Sequence, residues 1–238
     1  MLARADRYKP DLAIRRMVQM SSLEIARTHM IESQLRPNKV TDQRLLGAYA
    51  SIRRELFLPE HLRQVAYIDE DLPLGGGRYL MEPMVAARLL QTAAVERTDL
   101  MLVVGAGTGY EAALSSMLAR SVVALEEDPE LARQARAALV EHGIASVSIV
   151  EGPLLQGYRP RAPYDVILFA GAVAEVPAEI SAQLAEEGRL LAVVKSEGTI
   201  GRATVTIRTG GLLARRVIFD AAIPLLPGFS PRAAFVFC

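Results

Sequence analysis

Apolar positions recur along the chain at helical spacing first and at strand spacing later, and this change of period divides it. Leu23, Ala26, Met30, Ile31 and Leu35 follow one another at three- and four-residue steps, which predicts an amphipathic helix opened by the hydroxyl caps Ser21-Ser22 and stopped before Pro37. Thr41-Asp42 caps a second stripe of Leu45, Leu46, Tyr49 and Ile52, and Pro59 opens a short turn toward Leu62 and Val65. These segments predict an N-terminal helical layer over residues 20–75, preceded by an extension at 1–19. The stretch from Leu72 to Pro83 holds three glycines and two prolines, so it reads as an irregular loop lying over a site.

From Pro83 onward the periods alternate. Pro83 to Ala93 reads as a helix and Leu100 to Val104 as a strand buried on both faces. A helix at Glu111–Ala119, a strand at Ser121–Leu125, a helix at Pro129–His142 and a strand at Val147–Val150 follow. Tyr164–Phe169 is a fourth strand, Ala178–Leu184 a helix and Arg189–Val194 a fifth strand. Such alternation implies a mostly parallel central sheet. Ala203–Arg208 and Leu212–Phe219 flank Thr209-Gly210-Gly211, which predicts an antiparallel C-terminal hairpin at the sheet edge, and Ala233–Phe237 is a candidate last strand. The fold class is therefore α/β, with one core domain over 76–238.

The chemistry concentrates in Gly105-Ala106-Gly107-Thr108-Gly109, which follows a buried strand and opens a helix. Backbone amides there can face a ligand, and the missing side chains permit close approach. Glu126 ends the next strand, about 20 residues on, where an acid commonly accepts hydrogen bonds from ribose hydroxyls. A nicotinamide cofactor is held by similar geometry, although the spacing here is G-x-G-x-G rather than the longer dinucleotide pattern.

Composition narrows the class. Lys+Arg and Asp+Glu both number 27, giving a formal net charge of zero, so there is no bulk attraction for nucleic acid or anionic lipid. The basic cluster Arg4, Arg7, Lys9, Arg15 and Arg16 stays local to the first residues. The one cysteine, Cys238, allows no intrachain disulfide, and no run of about 18 apolar residues appears. These features predict a cytoplasmic chain without a membrane span. His29, His61 and His142 lack ligand spacing, and no metal is expected.

Six segments bear a resemblance. Met30-Ile-Glu-Ser-Gln-Leu35, Arg54-Glu-Leu-Phe-Leu-Pro59, Ala66-Tyr67 with Leu72-Pro-Leu74, Val104 to Tyr110, Ala162-Pro-Tyr-Asp165 and Gln183 to Leu190 are together similar to the protein-L-isoaspartate O-methyltransferase family. The resemblance implies a Rossmann-like class I methyltransferase fold and S-adenosylmethionine as donor. It implies methyl transfer to the carboxylate of isoaspartyl residues in a protein or peptide substrate, by a monomer or weak dimer. It also implies that Gly105, Ala106, Gly107, Thr108, Gly109, Glu126, Gly152 and Pro153 line the donor site.

This sequence departs from the family pattern at three places. Met81 stands where the family's loop carries a serine, Val103 where an acid precedes the glycine loop, and Gly152-Pro153-Leu154 where the family has Gly-Asp-Gly. A thioether donates no hydrogen bond, so Arg78 and Tyr79 of the same loop become the candidates for receiving the acceptor carboxylate. Two readings follow: a methyltransferase of the isoaspartyl type or a relative with an altered acceptor, and a non-catalytic binding or regulatory protein on the same fold.

Overall fold

A computed structural model describes residues 22–196 and 198–230. The extension at 1–19, Ser21, Ala233–Phe237 and Cys238 lie outside the described residues. The first apolar stripe is helical over residues 22–30 (α1) and relaxes into a π-helical turn at Ile31–Leu35 before Pro37, burying Met30, Ile31 and Leu35. α2 (Gln43–Ser51) is capped by Asp42, whose Oδ1 accepts from the amides of Arg44 at 2.8 Å and Leu45 at 3.4 Å. Two 3₁₀ turns follow, at Arg54–Phe57 and Glu60–Val65.

The stretch from Leu72 to Pro83 differs from expectation. It forms a small antiparallel hairpin, β1 (Leu72–Gly75) and β2 (Arg78–Leu80), instead of an irregular loop. Gly75, Gly76 and Gly77 all take positive φ (96°, 57° and 75°), so the glycines that weaken a longer strand are what reverses this one. Pro73 is tolerated because a two-stranded ribbon leaves one edge of each strand unpaired.

α3 (Pro83–Ala93) leads to β3 (Leu100–Val104), then α4 (Tyr110–Ser116), β4 (Ser121–Glu126), α5 (Pro129–Glu141) and β5 (Val147–Glu151). β6 (Tyr164–Val173), α6 (Ala178–Ser181), β7 (Leu184–Val194), β8 (Gly201–Thr209) and β9 (Leu212–Ala221) complete the order. The fifth and sixth helices are bounded differently. α5 gives way at His142, and α6 is cut to one turn because Leu184 already pairs with Tyr164 at the start of β7.

The seven-stranded sheet has the order β5-β4-β3-β6-β7-β8-β9. The first five strands are mutually parallel, and β8 and β9 are the predicted antiparallel edge hairpin. The chain winds from β3 outward to β5, then restarts on the other side of β3 with β6. That reversal opens a crevice outside the carboxyl ends of β3, β4 and β6, where open α/β sheets take their ligands. The helical layer and one sheet face share a single hydrophobic cluster running from Met30 to Val103 and Ile223.

Past β9 the chain doubles back. The Ala172 amide donates to Pro224 O at 2.9 Å, the Leu226 amide to Ala172 O at 2.8 Å, and the Ala174 amide to Phe229 O at 2.9 Å. Phe229 meets Phe169 edge-to-face at 5.7 Å. Residues 222–229 are thereby laid across the bulged end of β6, at the mouth of the crevice.

Candidate functional site

β3 delivers the glycine loop to the crevice, and Gly105, Gly107 and Gly109 hold φ of 77°, 57° and 95°, values that side-chain-bearing residues rarely adopt. The loop's amides are turned inward. Those of Gly105 and Ala106 donate to Leu125 O at 2.9 and 3.0 Å, and that of Gly109 to Ala106 O at 2.8 Å. The expectation that they face a ligand is corrected for these three. What the loop offers is close approach: an added Cβ on Gly105 lies 2.9 Å from Leu226, and one on Gly107 lies 3.0 Å from Leu74.

Glu126, at the end of β4, is 0% exposed and points at the loop. Its Oε2 accepts from the Gly107 amide at 2.6 Å. Its Oε1 accepts from Arg78 Nη1 at 2.6 Å and from the amides of Glu127 and Asp128 at 2.9 and 3.0 Å. Gly152, at the end of β5, donates its amide to Glu126 O at 3.1 Å, and Pro153 begins a short 3₁₀ turn beside it. The sheet therefore gathers the loop, Glu126, Gly152 and Pro153 at one edge.

The hairpin residues divide. Arg78, 5% exposed, reaches across the crevice: besides its bond to Glu126, its Nη2 donates to Gly105 O at 2.7 Å. Tyr79 is 39% exposed and faces outward, whereas Met81 is 2% exposed with its carbonyl held by Arg54 Nη2 at 2.9 Å. Arg78, Tyr79, Met81 and Asp71 still line one small hollow of about 10 Å³, closed on its far side by Gly171 and Leu226. Acids surround the start of α3: Asp71 accepts from the Glu82 amide at 2.9 Å and Asp69 from that of Met84 at 3.2 Å. Burial, then Asp71 and Asp69, push the Glu82 carboxyl up to about 7.

Two features escape sequence reasoning. Leu226 fills the crevice from a segment some hundred residues beyond the loop, and the signal for it is Gly171, a glycine inside a buried strand, whose added Cβ sits 2.7 Å from Leu226. Beneath the loop lies a buried polar cluster. Arg54 stacks over the Tyr110 ring at 5.0 Å, and burial raises the nearby Glu111 carboxyl to about 7 against the pull of Arg54. Val103 is fully buried in the same hydrophobic cluster as its cross-strand partners Ala124 and Leu168, on the sheet face opposite Leu102 and Val104.

A parallel sheet that reverses at β3, a glycine loop at the reversal and an acid on the next strand define a Rossmann-like methyltransferase fold. The profile of the protein-L-isoaspartate(D-aspartate) O-methyltransferase family matches residues 26–211. The chain belongs to that family. It is 39% identical to the Protein-L-isoaspartate O-methyltransferase of Methanoculleus marisnigri, over 71% of this chain and 76% of that one. It is 37% identical to the enzyme of that name from Koribacter versatilis, over 89% and 96%. A solved protein-L-isoaspartate O-methyltransferase superposes with a TM-score of 0.75 at 25% identity, over 86% of this chain and 67% of that one. A Plasmodium falciparum protein in complex with S-adenosyl-L-homocysteine shares the fold, with a TM-score of 0.72 at 17% identity over 83% and 96%. Among the described residues no helix is long and apolar enough to cross a membrane, and no group of three metal-binding side chains forms.

Proposed function

We propose that this chain transfers a methyl group from S-adenosylmethionine to the side-chain carboxylate of isoaspartyl residues in damaged protein or peptide. The observation that supports it most is the Glu126 carboxylate held against the glycine loop at the sheet's reversal, in a member of this family. The crevice suits a nucleoside: Gly105 and Gly107 put no side chain of their own on the floor, which Leu226, Arg78 and Leu74 reach from outside, and the acid beside them is of the type that receives a ribose diol. Gly105 to Gly109 form the floor, Glu126 clasps the sugar, and Gly152 and Pro153 border the base. The bound donor supplies an electrophilic methyl on a cationic sulfur, and the acceptor oxygen forms the new C–O bond as the C–S bond breaks, with no proton transferred. The protein's task is alignment and control of charge.

Arg78 and Tyr79 are the donors nearest the place of the family's loop serine, and we assign the acceptor carboxylate to them. Met81 contributes packing only. The zero net charge supports a protein or peptide partner over nucleic acid, and the lone cysteine supports a cytoplasmic setting; a monomer or weak dimer completes the reading. Incubation with S-adenosylmethionine labelled in its methyl group and an isoaspartyl peptide tests it. Label in the peptide, absent when ordinary aspartate replaces isoaspartate, is the expected result. Donor binding without label in the peptide overturns the reaction and leaves a binding protein.

A further inference from the structure

The Glu126 carboxylate is unevenly loaded. Each oxygen of an ionised carboxylate offers about two lone-pair sites; here Oε1 takes three donors, Arg78 Nη1 and the amides of Glu127 and Asp128, and Oε2 takes one, the Gly107 amide. The three amides are fixed by the turn of the main chain. Only Arg78 reaches Glu126 by a rotatable side chain, so a ribose diol that grips both oxygens has to displace Arg78 from Oε1. Leu226 stands in the same space, 3.0 Å or less from where a Cβ on Gly105 or Gly171 would be.

A buried guanidinium cannot be left without an anion, because the cost of an uncompensated buried charge exceeds that of most single contacts. No carboxylate other than Glu126 bonds Arg78 among the described residues, although Asp71 lines the neighbouring hollow with it. Its Nε has no hydrogen-bond partner among the described residues, and its remaining bond is to the Gly105 carbonyl. The neighbouring hollow, lined by Asp71, Tyr79 and Met81, lacks the hydroxyl the family places there. Arg78 already lines it, and its volume of about 10 Å³, room for roughly one water, admits a carboxylate once Arg78 and Leu226 shift.

We propose that Arg78 serves the two substrates in turn: it pairs with Glu126 while the donor is absent and, once the sugar takes Glu126, turns into the Asp71–Tyr79–Met81 hollow to clasp the acceptor's carboxylate. Arg78 is thereby a specificity-determining residue that replaces the missing serine, since its planar fork matches a carboxylate in bidentate fashion. Donor binding primes acceptor binding, and the order of addition is donor first. This rests on the donor and acceptor assigned under Proposed function.

One residue then moves two affinities in opposite directions, which a merely structural role does not do. Titration calorimetry with S-adenosylhomocysteine on Arg78→Gln should show binding about tenfold tighter than wild type, because Glu126 Oε1 is freed of its one charged side-chain donor. Steady-state methylation of an isoaspartyl peptide by the same variant should show the peptide KM raised about tenfold or more, with kcat changed far less. Arg78→Lys, which keeps the charge without the fork, should recover part of the peptide KM. Leu226→Ala, which opens the crevice and leaves the Arg78 fork in place, should tighten S-adenosylhomocysteine binding; Arg78→Lys carries the test if Arg78→Gln does not fold. Wild type that binds S-adenosylhomocysteine, with a folded Arg78 variant that binds it no more tightly or keeps the wild-type peptide KM, overturns the exchange and leaves the donor assignment standing. Binding by neither wild type nor any folded variant removes both.

Discussion

The crevice has two walls of different origin. One is the floor made by the ends of β3, β4 and β5, where glycine loop, Glu126 and Gly152 are brought together by strand pairing alone. The other is made by Arg78 of the β1–β2 hairpin and by residues 222–229, which reach the same space from opposite ends of the chain. The floor is made of strand ends and the Glu126 carboxylate that ties them to the loop, whereas the far wall, though its segment 222–229 is bonded to β6 by its main chain, meets the crevice with the side chains of Arg78 and Leu226. Changes to the floor should lower stability and donor affinity together, whereas changes to the far wall should trade one against the other.

The sharpest difference is expected at Glu126. Glu126→Ala leaves the Arg78 cation buried without a counter-charge, a loss on the order of 3–5 kcal/mol, and chemical denaturation should show it together with loss of S-adenosylhomocysteine binding. Leu226→Ala on the far wall empties a buried site and should cost roughly 2–5 kcal/mol. Yet the same protein should bind S-adenosylhomocysteine more tightly, so a parallel loss of both would break the distinction between the walls. At Gly109, φ is 95° and an added Cβ lies 3.1 Å from that of Ala135. Gly109→Ala should therefore cost about 1–3 kcal/mol by thermal melting.

A smaller effect concerns the cluster under the floor. Burial raises the Glu111 carboxyl from 4.5 to about 7, so the folded protein holds a proton that the unfolded chain has released. That contribution is complete below about pH 4.5, fades as pH rises toward 7 and is absent above it. Glu111→Gln keeps a neutral side chain at every pH. Its melting temperature, measured against wild type, should be relatively higher at pH 8 than at pH 5. Glu82, raised in the same direction, leaves a residual slope in the variant. At the exposed end of the series, Tyr79→Phe should change stability by less than about 0.5 kcal/mol.

The two walls also differ in how far the sequence revealed them. The floor is local: an apolar run followed by glycines, then an acid ending the next run, states its own position. The strand boundaries there fall within a residue or two of the pattern, and the edge hairpin turns where Thr209-Gly210-Gly211 says it should. The far wall is not local. Glycines and prolines at 73–83 mark a break in regular structure, and only pairing across the turn makes it a ribbon. Nothing in the spelling of Leu226 ties it to Gly105; that contact depends on the path of the chain back from β9 to β6. The direction of the loop amides was likewise beyond the pattern, because their acceptor, Leu125 O, belongs to the neighbouring strand.

The most direct measurement is a crystal structure of the protein grown with S-adenosylhomocysteine. The account predicts the ribose hydroxyls on the Glu126 carboxylate, with Arg78 withdrawn from its 2.6 Å contact with that group and Leu226 moved off Gly105. A nucleoside bound elsewhere, with the Arg78–Glu126 pair intact, would contradict it.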